Sequence, residues 1–92
     1  MATMTANEAL LRRFFERWAI SYDELCAAVS DTMHENCVFQ QTRIPDLHGP
    51  AATVAILHQG RAVFGYATFD VEVKTVICEG KFVAAERIDY MK

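Results

Sequence analysis

No apolar run in this chain approaches the roughly 18 residues that a membrane-spanning helix needs. The N-terminal stretch MATMTANEALL lacks the basic flank and following apolar segment of a secretory signal. Cysteine is scarce: Cys26, Cys37 and Cys78 fall at irregular spacings, with no Cys-x-x-Cys pair and no zinc pattern. They read as small apolar residues in a reducing compartment, so the expectation is a cytoplasmic protein with free thiols. There is no excess of positive charge. Nine Lys and Arg are scattered against twelve Asp and Glu, for a net charge of −3 and a pI of about 5.5. Without a basic stripe, nucleic acid is not an expected partner. His34, His48 and His58 share no metal-ligand spacing, and no glycine-rich phosphate loop or nucleophile elbow occurs. No metal and no cofactor are therefore expected.

What is present is enough for a small packed core. In 92 residues, 52% are hydrophobic, 11% aromatic and 23% charged, which excludes disorder and fits one domain over residues 1–92. Thr5-Ala-Asn-Glu8 is a capping box. After it, Leu11, Phe14, Phe15, Trp18 and Tyr22 form one helical stripe. Ser21-Tyr-Asp-Glu24 is a second capping box, opening a shorter helix that carries Leu25, Cys26 and Val29 on one face. Cys37–Thr42 has the content of a short strand, and residues 44–50 read as an irregular loop. Pro50 suits the first turn of a third helix, with Val54, Leu57, Arg61 and Phe64 on one face and Gly65 at its end.

From Tyr66 the period changes to two. Phe69, Val71, Val73, Thr75 and Ile77 alternate with Asp70, Glu72, Lys74 and Val76, so the odd face is expected inward. A second strand runs from Lys81 to Met91. A two-residue turn at Glu79-Gly80 pairs Ile77 with Phe82. A three-residue loop, Cys78-Glu79-Gly80, puts Gly80 at the left-handed position of a bulge and is the preferred reading. It pairs Thr75 with Val83, Val73 with Ala85, Val71 with Arg87 and Phe69 with Asp89. Arg87 and Asp89 then share one face with Val71, Val73, Val83 and Ala85. An ion pair there is either a structural pair or a site.

The element order resembles the nuclear transport factor 2-like superfamily, in its SnoaL-like branch. The carrying segments are FFERWAISYDELCAAVSD, CVFQQ, the Pro/Gly loop with its short helix, and FVAAERIDYMK. Glu86-Arg87-Ile88-Asp89 is similar to the E-R-x-D strand motif of the limonene-1,2-epoxide hydrolase group. The resemblance implies an α+β fold: a cone-like curved mixed sheet packed on three helices around an apolar pocket, incomplete at the C-terminus and often dimeric. It implies Arg87 as a bridging guanidinium and Asp89 as the acid that protonates an epoxide oxygen. It places Trp18, Phe69, Val71 and Val83 among the pocket residues. The Tyr and Asn that assist the family's water-activating Asp fall on Phe39 and Gln41, which removes the hydroxyl and lengthens the amide. The second Asp belongs to a strand beyond Met91.

Three functions follow as expectations. One is an epoxide hydrolase-like enzyme with Arg87 and Asp89 as catalytic residues. A second is a binding or dimerisation module, a homodimer holding a small apolar molecule without turnover. A third is a ketosteroid isomerase-like or polyketide cyclase-like enzyme using Asp89 with Tyr22 or Tyr66. Otherwise Trp18 reads as core, and the two tyrosines as residues with wet tips.

Overall fold

Thr5 sets the entry into the first helix. In the computed structural model, which describes residues 4–92, its hydroxyl accepts from the Glu8 amide at 3.1 Å, and α1 runs over Ala6–Arg17. Glu8 turns to Arg12 at 2.9 Å, so only one half of the capping box forms. Residues 1–3, the start of the stretch read above for a leader, lie outside the described residues. Ser21 caps α2, Tyr22–Thr32, accepting from the Glu24 amide at 3.1 Å. Arg17 donates to Glu24 at 2.6 Å and Asp31 at 3.0 Å, tying the two helices together. The core sits under α2: Leu25, Ala28 and Val29 are buried, joined by Phe15 from α1 and Tyr66.

Between α2 and the third helix the reading was too simple. Strand β1 is only Val38–Phe39, and it pairs antiparallel with β2, Leu47–His48, inside the segment expected to be loop. Gly49 explains the pairing. It takes φ +83, and its amide donates to the Cys37 carbonyl at 2.8 Å. A Cβ there would sit 3.1 Å from the Glu35 carbonyl oxygen. α3 follows directly, Gly49–Phe64, with Pro50 in its first turn and Gly65 as a left-handed cap at φ 72. Its buried face runs through Thr53, whose hydroxyl donates to the Gly49 carbonyl at 3.2 Å. Phe64, expected inward, is 69% exposed.

β3, Phe69–Glu79, and β4, Phe82–Met91, form the long hairpin. Its register corrects the expected one. The turn is Gly80-Lys81, closed by Glu79 opposite Phe82, and φ is positive at Gly80 alone, the pattern of a type II′ turn. A bulge then falls at Lys74: Val73 pairs with Arg87 and Thr75 with Glu86. The bulge reverses the facing of β3 beyond it. Phe69, Val71 and Val73 point inward as expected, but Val76 and Cys78 replace Thr75 and Ile77, and Ile77 is 63% exposed. On β4 the inward set still includes Val83, Ala85 and Arg87.

The described residues thus form an α+β domain of three helices and two separate two-stranded antiparallel sheets. No parallel pairing occurs among them, so the expected mixed sheet does not form. β1 and β2 are two residues each and end before they reach the hairpin. α1 lies against the hairpin and α2 links α1 to α3. The Phe69 amide donates to the Trp18 carbonyl at 3.0 Å, fixing the end of α1 to the start of β3.

Candidate functional site

One cavity, of about 160 Å³, lies where α1, α2, α3, β1 and the hairpin meet. Six of the residues singled out from sequence line it: Trp18, Phe39, Gln41, Phe69, Arg87 and Asp89. They arrive from four segments. Trp18 caps α1, Phe39 ends β1, Gln41 lies in the loop beyond it, and the other three belong to the hairpin. Periodicity alone placed Arg87 and Asp89 on one face of a strand. Only the packing of α1 on that face, with β1 brought in beside α3, places Trp18 and Phe39 beside them.

Val71 and Val83 are not in this cavity. Val71 lines a shallower groove of about 430 Å³ with Arg12, Phe15 and Glu16, and Val83 faces Leu10, Leu11 and Phe14. In both places α1 crosses the inner face of the hairpin and covers the valine. Leu57, expected on one face of α3, joins the wall, and residues not singled out from sequence complete it, among them Met33, Thr53 and Ile56. Thr53, a lone hydroxyl among apolar neighbours on α3, was the signal available for them.

Arg87 and Asp89 form an ion pair within β4, each side chain about a third exposed (31% and 33%). The Arg87 guanidinium also lies over two rings, 4.6 Å from the Phe15 centroid and 5.3 Å from the Trp18 centroid. A cation held against two ring faces gains up to about 1–2 kcal/mol, which fixes where Asp89 can sit. Trp18 packs edge-on against Phe14, Phe15 and Phe69, with centroids 5.2, 5.0 and 6.0 Å away. Its indole nitrogen is buried and has no hydrogen-bond partner among the described residues. The cavity therefore offers a largely apolar wall, one guanidinium and one carboxylate. No second carboxylate lines it.

The tyrosines are engaged elsewhere. Tyr66 is buried, with its hydroxyl donating to the Leu57 carbonyl at 2.7 Å, so its tip is not wet as expected. Tyr22 pairs with His58 Nδ1, and Arg61 lies 4.0 Å from its ring centroid. Burial pushes the phenol of each above its ordinary range, with neighbouring Cys26 acting in the same direction. Glu86 lies on the outer face, where its carboxylate accepts from the Thr75 hydroxyl at 3.4 Å. No cluster of three metal-ligating side chains occurs among the described residues, and no helix is long and apolar enough to cross a membrane. Comparison of the chain with protein-family models, curated proteins and solved structures finds no match.

Proposed function

We propose that the domain binds a small, largely apolar molecule carrying one oxygen function, with Arg87 and Asp89 as the polar end of its site. The observation that carries this reading is the Arg87–Asp89 ion pair in the wall of a cavity otherwise lined largely by apolar side chains. A cavity near 150 Å³ accommodates a molecule of about benzene size. At about 160 Å³, this one suits a single ring or a short branched chain. The two small sheets and three helices would then act as a cone-like enclosure of the ligand.

Epoxide opening is the chemistry this arrangement supports best. Asp89, when protonated, passes its proton to the epoxide oxygen as the C–O bond breaks, and Arg87 holds the carboxylate that remains. The attacking water must lose a proton to a base. Phe39 and Gln41, at the expected base-assisting positions, can exclude water or accept a hydrogen bond, but neither takes a proton. Binding is thus the primary role, and turnover depends on a second carboxylate. The isomerase-like reading is disfavoured because Tyr22 and Tyr66 already bond to His58 and Leu57.

The test is a panel of cyclic epoxides with the matching ketones and alcohols, scored by thermal shift and by diol formation. The expected result is stabilisation by oxygen-bearing members over their hydrocarbon counterparts, lost in Asp89→Asn and Arg87→Ala. A panel with no shift in the parent protein retires the reading.

A further inference from the structure

β4 has one bonded edge and one open edge. Among the described residues, its hydrogen-bonded neighbour is β3 alone, and α1 is the only helix packed on it. Lys92 and Thr68 exchange both backbone hydrogen bonds, at 3.0 and 3.5 Å, just beyond the ends of the strands. In an antiparallel ladder such pairs alternate with pairs whose groups point away. The register therefore sends the N–H and C=O of Val83, Ala85, Arg87, Asp89 and Met91 outward. Among the described residues, none of these groups bonds outside the hairpin. A row of this kind is a template for another strand.

The sequence along the edge restricts which strand fits. Only odd-numbered residues offer free groups, so an antiparallel copy of the same strand must set odd against odd. A two-fold axis at Glu86, Arg87 or Asp89 sets like charges against each other, which is unfavourable. An axis at Ala85 sets Arg87 against Val83. An axis at Ile88 sets Arg87 against Asp89 in both directions, Glu86 against Tyr90, Ala85 against Met91 and Ile88 against itself. Glu86 facing Tyr90 repeats a pairing already made within the chain, where the Tyr90 hydroxyl donates to Glu72 at 3.1 Å. The segment Glu86-Arg87-Ile88-Asp89-Tyr90 is thus complementary to its own reverse about Ile88.

We propose that two copies of the chain pair antiparallel through β4 on a two-fold axis at Ile88, forming a continuous four-stranded sheet in which each Arg87 faces the second copy's Asp89. The axis stands perpendicular to the sheet, so both helical layers lie on the same side. The apolar side chains left exposed on the outer face, Ile88 (42%) and Tyr90 (46%), come together across the seam. The pairing rests on edge geometry and charge order, not on any ligand. It deepens the proposed site in one respect: each cavity lines up with a carboxylate from a second copy, where its own wall supplies only Asp89.

Sedimentation of the full chain without ligand tests it. A reversible dimer at micromolar concentration is expected. Ile88→Cys is expected to give a disulfide-linked dimer on mild oxidation, with the introduced thiols identified in the cross-linked peptide. Opposed residues at a non-hydrogen-bonded pair have Cα atoms about 4.5 Å apart, within disulfide range. Ala85→Cys is the control for the competing axis. Ile88→Lys, at an exposed position, is expected to keep its circular dichroism spectrum and weaken the dimer at least about tenfold, since like charges meet on the axis. A monomeric parent protein overturns the proposal, as does a dimer insensitive to Ile88→Lys or one that cross-links through Ala85→Cys instead. Because no ligand is present, these outcomes do not depend on the fate of the ligand-binding reading.

Discussion

At the scale of single residues, Gly60 and Tyr66 show how one contact overrides a general rule. Replacing a glycine inside a helix by alanine ordinarily adds about 1 kcal/mol of stability. Here a Cβ on Gly60 would lie 2.7 Å from the Tyr66 hydroxyl oxygen. That hydroxyl cannot swing away freely, because it is buried and bonded to Leu57. Gly60→Ala is therefore expected to destabilise, by about 1 kcal/mol through loss of the Tyr66–Leu57 bond. Urea denaturation checks it, and the penalty shrinks in a Tyr66→Phe background. The same phenol sets a pH dependence. Its folded pKa is raised by burial, so the unfolded chain loses this proton first. Stability is expected to hold below about pH 10, the ordinary tyrosine value, and to fall as pH rises beyond it. Denaturation curves across that range, flatter in Tyr66→Phe, measure the contribution. The sequence placed Tyr66 just past the Gly65 cap and gave no sign of its burial, which depends on the small size of Gly60 six residues earlier.

At the scale of elements, helices were legible and hairpin register was not. Both N-caps, Pro50 and Gly65 fell where the pattern put them, because capping is local chemistry. Register is a pairing between distant residues; the alternation that runs cleanly from Phe69 to Lys74 breaks at Thr75-Val76-Ile77, a local mark of the bulge that does not by itself say how the partner strand pairs. The bulge makes a sharp prediction. Ile77 faces solvent and Val76 faces inward. Ile77→Lys is expected to change stability by less than about 0.5 kcal/mol, as at exposed sites generally. Val76→Lys is expected to cost at least about 2 kcal/mol, because it turns an ammonium toward the core. An unbulged hairpin reverses that order, so paired thermal melts of the two variants decide it.

At the scale of the whole molecule, the fold is long for its mass. The radius of gyration is 13.6 Å, with extents of 44 × 28 × 24 Å, against about 12 Å for a globular chain of this size. The long hairpin accounts for it, with Ile77 and Phe82 exposed on its outer face. Among the described residues, only five apolar side chains are buried. A core this small leaves modest stability, so ligand occupancy should register strongly. Ligand at a hundredfold excess over its Kd adds about 2.7 kcal/mol, which in a domain of this length raises the melting temperature by more than about 10 °C. That is the size of effect expected from the oxygen-bearing compounds above.

By itself the sequence determined what depends on near neighbours: the starts and ends of the helices, the hairpin's existence, and the placing of Arg87 and Asp89 two residues apart on one strand face. Tertiary structure alone decided which of those residues share a cavity. It moved Val71 and Val83 under α1, brought Trp18 and Phe39 to the ion pair, and buried an indole N–H without a partner. The physical reason is range. Caps and alternation are written in bonds spanning a few residues, whereas a cavity is the space left when helices and a hairpin from opposite ends of the chain close on one another.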